Sequence, residues 1–108
     1  SYSDAFAVSS NIGAIKTGQK VGKPLFYNYA REFGFGEPTG IELPGESRGI
    51  IRAPERWNGD SLASLSIGYE IGVTALQSAS AFATIANDGG RVKPHIIKEI
   101  RQADGKVV

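Results

Sequence analysis

Cysteine and methionine are absent from these 108 residues, histidine and tryptophan occur once each, and neither sign of charge dominates. Without cysteine there is no disulfide framework, no thiol nucleophile and no thiolate zinc site. Without methionine the chain does not begin at an initiator of its own, and it reads as an excised internal piece. The lone His95 has no second imidazole to share a metal with and belongs to no Ser-His-Asp arrangement. Following Pro94 at the head of an expected strand, it is read as structural or exposed. No apolar run approaches the roughly 20 residues of a membrane span, and no signal peptide is visible. A net charge of +1 with both signs scattered leaves no basic stripe, which excludes a nucleic-acid partner. Glu32, Glu37, Glu42 and Glu46 form no carboxylate pair of recognisable spacing, so glycosidase chemistry has no support. The glycines of 34–36 and 68–72 fit neither a Walker nor a dinucleotide pattern.

What is present is the composition of one ordered globular unit, 41% hydrophobic and 21% charged. Ile12 and Ile15 share a helical face running to Gly18 or Gly22. Pro24 suits the first turn of a second helix, on which Leu25, Tyr29 and Phe33 recur at i, i+4 and i+8. Gly34 and Gly36 stop it. From Glu37 to Asn58 the punctuation by Pro38, Gly40, Pro44, Gly45, Gly49 and Pro54 predicts a long irregular connection with one short strand. Residues 68–72 are too glycine-rich for a regular element. Thr74-x-x-Gln77 is a capping box heading a helix with the stripe Leu76, Ala79, Ala83 and Ala86, stopped by Asn87-Asp88-Gly89-Gly90. Its many small residues imply close packing against another element. Ile96 to Arg101 reads as a strand, Asp104-Gly105 as a hairpin turn, and Lys106 to Val108 as a return strand. Trp57, Phe26, Tyr29, Phe33 and Phe35 are read as packing residues.

Ser9-Ser10-Asn11 carries the candidate chemistry. Taken alone it is a helix N-cap, where Ser and Asn satisfy free backbone N–H groups. A Ser-x-Asn at the head of a helix is also one of three motifs of the serine acyltransferases that react with β-lactams; the others are Ser-x-x-Lys and a strand-borne Lys-Thr-Gly. In that role a hydroxyl relays a proton to the leaving amine while a carboxamide orients substrate and a neighbouring lysine. No Ser-x-x-Lys occurs in the chain. Lys16-Thr17-Gly18 mimics the third motif but falls inside the expected helix, five residues past Ser-x-Asn, and is read as a decoy.

Five stretches then stand in register: Ala5 to Gly13, Phe33 to Glu46, Ser66 to Tyr69, Val73 to Gln77, and Ala83 to Gly90. Together they resemble the transpeptidase domain of class B penicillin-binding proteins, most closely the division-type enzymes. The resemblance implies an α+β fold, here a mainly helical fragment with a C-terminal β-hairpin, with residues 1–108 forming a partial transpeptidase domain that carries the Ser-x-Asn motif only. It implies a parent D,D-transpeptidase that cross-links peptidoglycan stem peptides through a serine acyl-enzyme and is acylated by β-lactams. No cofactor or metal is implied. By the motif match Ser9 is the relay hydroxyl and Asn11 the orienting amide, both catalytic, while Ser10 fills the variable position. Nucleophile and lysine are expected upstream, Lys-Thr-Gly downstream, and the fragment alone is expected to be inactive. The parent is expected to be membrane-anchored with an extracytoplasmic (periplasmic) catalytic domain, and its partners are division or cell-wall synthesis proteins. Two departures stand out: Glu70, where the family usually has a small or neutral residue, and Ala75, where Pro is common. Competing readings are a β-lactam sensor or β-lactamase relative, and a non-catalytic cell-wall scaffold module. Isolated from the sheet of the whole domain, the fragment is expected to expose its Leu76/Ala79/Ala83 stripe.

Overall fold

Residues 1–108 are all described by the computed structural model, in which helices follow one another with almost no spacer. A short α1 (Tyr2–Ala7) turns at residues 8–10 into α2 (Asn11–Val21), and Gly22 alone separates α2 from α3 (Lys23–Glu32). Gly22 has φ +85° and ψ 158°, a conformation that is essentially restricted to glycine. That is why one residue can end one helix and begin the next. Pro24 stands in the first turn of α3, where its missing N–H would be unpaired anyway.

Beyond α3 the expected irregular stretch is held by side chains rather than by secondary structure. The Glu46 carboxylate accepts from Thr39 N–H (2.8 Å), the Thr39 hydroxyl (2.5 Å) and Gly40 N–H (3.0 Å), closing the 39–46 loop on itself. The Thr39 hydroxyl, helped by the amides of residues 39–41, holds the Glu46 carboxyl below its ordinary pKa of 4.5; desolvation, second to that hydroxyl and ahead of each amide, pushes the other way. A depressed carboxylate stabilises the loop fully above that ordinary value, and the contribution vanishes as pH falls through the lower folded value. Thr39 and Gly40 amide protection should therefore be lost only in acid, below the usual carboxylate range. Hydrogen exchange followed against pH checks this; protection lost near neutrality would contradict it.

The ladder predicted least is the one that forms. β1 (Ile50–Ile51) pairs antiparallel with β2 (Ile71–Gly72) in the register Ile50↔Gly72 and Ile51↔Ile71. A 3₁₀ turn (Pro54–Arg56) and α4 (Ser61–Ser66) lie between them. Residues 71–72 were expected to be irregular, yet they pair with the short strand expected somewhere in the 37–58 connection. Trp57 packs edge-on against Tyr27, centroids 6.2 Å apart, and its indole N–H donates to Arg52 O at 2.8 Å.

The capping box of α5 (Ala75–Ala86) is present as expected: Gln77 N–H donates to Thr74 Oγ1 (3.0 Å) and Thr74 N–H to Gln77 Oε1 (2.9 Å). The face that α5 buries is Gln77, Ala81 and Thr84. Of the stripe expected to be exposed, Ala79 and Ala83 are, as are the neighbouring Phe82 and Ile85, but Leu76 is half-buried. At the C-terminus the hairpin is reduced to one antiparallel bridge, Arg101↔Val107, around a turn in which Gly105 N–H donates to Gln102 O. Of the strand expected over Ile96 to Arg101, only the end is paired, where Val108 N–H donates to Ile100 O (2.8 Å) beside the Arg101↔Val107 bridge; an extended segment needs a neighbour to pair with, and the return strand is too short to reach further back. His95 is exposed, as read from sequence.

The core is thin. Only seven residues are buried, Leu65 and Ala81 being the apolar side chains among them. The accessible surface is 7855 Å², whereas a compact monomer of this mass exposes about 5,800 Å². The radius of gyration is 17.7 Å within a 60 × 32 × 19 Å envelope, against about 13 Å for a compact chain of this length. The best-packed contact is between α2 and α4, where Gly18 is buried. A Cβ at Gly18 would collide with the Ser66 hydroxyl and stand 3.0 Å from Ser66 Cβ. Gly18→Ala should therefore cost about 1–3 kcal/mol by overpacking despite its better helix propensity. Urea unfolding of the two forms measures this, and an unchanged or raised midpoint would exclude it.

Candidate active site

Two helix ends meet at Ser9-Ser10-Asn11, and each residue does something different there. Val8 is the C-cap of α1, after which Ser9 N–H donates to Phe6 O (3.1 Å) and Ser10 N–H to Ala5 O (2.9 Å). That is a Schellman pair of hydrogen bonds, and it puts Ser9 at the position that glycine normally takes. Ser9 indeed has φ +53°. The same two-bond ending closes α3 around Gly34 (φ +95°) and α4 around Gly68 (φ +89°). The chain thus uses glycine at two such corners and serine at the third. A side chain forced into the left-handed region costs roughly 1–2 kcal/mol. Such departures from the local rule concentrate at functional positions.

Ser10 supplies the N-cap of α2: its hydroxyl accepts from Gly13 N–H at 3.1 Å. The capping and catalytic readings of the tripeptide therefore fall on different residues. Neither the Ser9 hydroxyl nor the Asn11 carboxamide has a hydrogen-bond partner within the chain, and both residues are exposed. They face a cleft of about 400 Å³ whose other walls include Tyr2, Phe6, Ala14, Ser66 and Ile67. No charged side chain lines it. The cleft offers a hydroxyl and an amide free to bond a ligand, and no base or cation to activate a nucleophile. Sequence reasoning missed Ser66 and Ile67, which arrive from α4 and its C-cap. Their place in the stretch Ser66 to Tyr69 was the only signal that could have found them.

Lys16-Thr17-Gly18 lies within α2, as expected. The Thr17 hydroxyl donates to Gly13 O (2.8 Å), and Gly18 serves the contact with α4. Nothing in it is on a strand or in the cleft. Glu70, which departs from the family pattern, does not line the cleft. Its carboxylate pairs with Arg52 and accepts from the buried Ser61 hydroxyl (3.0 Å), while its backbone takes φ +61°. Its charge is thus neutralised on the side of β1 and α4. Ala75 fills the first helical position of α5 without disturbing the cap. No group of three or more His, Asp or Glu side chains converges to hold a metal, and no helix is long and apolar enough to cross a membrane.

The penicillin binding protein transpeptidase domain model matches residues 1–107. The chain belongs to that family. It is 44% identical over 102 residues to the penicillin-binding protein PbpB of Mycolicibacterium smegmatis, covering 94% of this chain and 16% of the relative. It is 36% identical over 101 residues to the probable peptidoglycan D,D-transpeptidase PbpC of Pseudomonas aeruginosa, covering 88% of this chain and 18% of that one. Among solved structures it resembles penicillin-binding protein 3 of Mycobacterium tuberculosis complexed with aztreonam. The TM-score is 0.87 at 42% identity, over 93% of this chain and 22% of the other. The chain therefore spans less than a quarter of the length of these relatives.

Proposed function

We propose that residues 1–108 are the Ser-x-Asn portion of the transpeptidase domain of a division-type class B penicillin-binding protein. The whole protein cross-links peptidoglycan stem peptides through a serine acyl-enzyme and is acylated by β-lactams. The observation that carries this is the left-handed Ser9 beside an unbonded Asn11 on an open cleft, in a chain that matches the family along its length. In the reaction a serine outside this chain attacks the penultimate D-alanine carbonyl and expels the terminal D-alanine; an acceptor amine from a second stem peptide then takes the acyl group. Ser9 relays a proton to the departing amine, and Asn11 bonds the substrate amide and orients the lysine that activates the nucleophile. Both nucleophile and lysine come from upstream, and the strand-borne Lys-Thr-Gly from downstream. The catalytic domain is extracytoplasmic on a membrane-anchored protein that works with other cell-wall synthesis proteins.

A fluorescent penicillin tests the assignment. The full-length protein should take up one label per molecule and hold it, and the isolated 108-residue chain should take up none. Labelling of the isolated chain would refute the division of roles, and rapid hydrolysis of the antibiotic by the full-length protein would make it a β-lactamase relative instead.

A further inference from the structure

Ser10 is the one residue of the tripeptide to which the family resemblance attaches no role, and the one whose side chain is bonded. It belongs to both helices at once. Its N–H closes α1 on Ala5 O (2.9 Å), its hydroxyl opens α2 on Gly13 N–H (3.1 Å), and its carbonyl accepts from Ala14 N–H (3.0 Å). Only Ser9 lies between the C-cap Val8 and the N-cap Ser10 to absorb an error. Ser9 is held in its left-handed conformation on one side of Ser10, and Asn11 starts the first turn on the other. The corner is also sterically closed, because a Cβ at Gly13 would come within 2.7 Å of Ala5 Cβ. The helices approach as nearly as glycine allows.

We propose that Ser10 is a positioning residue of the acyl transfer: its hydroxyl, by capping α2, aims both Ser9 and Asn11 into the cleft. This rests on the transpeptidase reading above. Without the hydroxyl, Gly13 N–H loses its partner and the first turn of α2 frays. Asn11 then loses its fixed orientation. Ser9 keeps the backbone bonds of its corner but loses its fixed bearing on Asn11 and the cleft wall of α2. Both groups act at a reacting centre where a displacement of about 1 Å can cost about 100-fold, so a frayed turn should reach the chemistry before it reaches the fold.

The test uses the full-length protein with a chromogenic cephalosporin, separating the binding constant from the acylation rate constant. Ser10→Ala should lower the acylation rate constant about tenfold with binding unchanged. Ser10→Thr, which keeps a capping oxygen, should recover it to within about threefold. The Ser10→Ala deficit should persist in the cold, well below its melting midpoint. The proposal is overturned if Ser10→Ala acylates at the wild-type rate, if the Ala and Thr variants fall equally, or if the deficit disappears in the cold. Failure of the underlying reading shows separately: the wild-type protein would then form no acyl-enzyme at all.

Discussion

Ser9→Gly in the full-length protein lowers acylation by about 10²–10⁴-fold, the usual contribution of a positioned proton-transfer group, yet leaves the fold as stable as before or stabler by up to about 1 kcal/mol. The two effects separate because Ser9 contributes only its backbone to the corner. Its N–H bonds Phe6 O, its φ is +53°, and its hydroxyl bonds nothing in the chain. Glycine makes the same hydrogen bond and enters the left-handed region without a Cβ penalty, offset in part by its greater freedom when unfolded. Ser9→Ala removes the hydroxyl but keeps the strain, so it should match Ser9→Gly in rate and fall below it in stability. Melting curves and penicillin labelling on the two variants read both quantities. A Ser9→Gly protein that melts well below wild type, or one that acylates normally, would sink the assignment of Ser9 as relay.

The second large effect is structural. Gln77→Leu should cost about 3–5 kcal/mol, a large part of the 5–15 kcal/mol that holds a typical domain together. Gln77 is 1% exposed, and its amide makes three hydrogen bonds: Nε2 donates to Glu37 O (2.9 Å) and Arg48 O (2.8 Å), and Oε1 accepts from Thr74 N–H (2.9 Å). One side chain therefore ties the start of α5 to both ends of the 37–48 loop. Leucine fills the space and leaves two carbonyls and one N–H without their partner, each worth about 1–3 kcal/mol when buried. Denaturant unfolding of the full-length protein should show the midpoint drop; a loss under about 1 kcal/mol would mean that water replaces the amide and the hub is not one.

Local chemistry made most of the helical part legible. Pro24, Gly22 and Gly34 marked α3, and Thr74 with Gln77 marked the start of α5, because each acts within four residues of itself. The same reasoning placed Lys16-Thr17-Gly18 in a helix and kept it out of the site. The β1–β2 ladder was not legible: two residues per strand leave no alternation to read, and the pairing joins positions about twenty residues apart. The C-terminal strand failed for the opposite reason. Its isoleucines and the Asp104-Gly105 turn were visible, but a ladder needs a partner of matching length, and residues 106–108 pair only with its last two positions. Three left-handed positions escaped notice as well, Ser9, Glu70 and Asp88, because none is a glycine.

By itself, then, the amino-acid sequence determined the family, the helix caps and the presence of two serines and an asparagine at one helix start. Which of the two serines caps the helix could not be read from three adjacent polar residues, since serine at either position suits a cap. Tertiary structure decided it. The packing of α1 against α2, as close as Gly13 and Ala5 permit, drives Ser9 to positive φ and brings the Ser10 hydroxyl, not that of Ser9, within reach of the Gly13 N–H. A hydrogen bond selects by distance and direction, and two helix axes meeting at one residue set both.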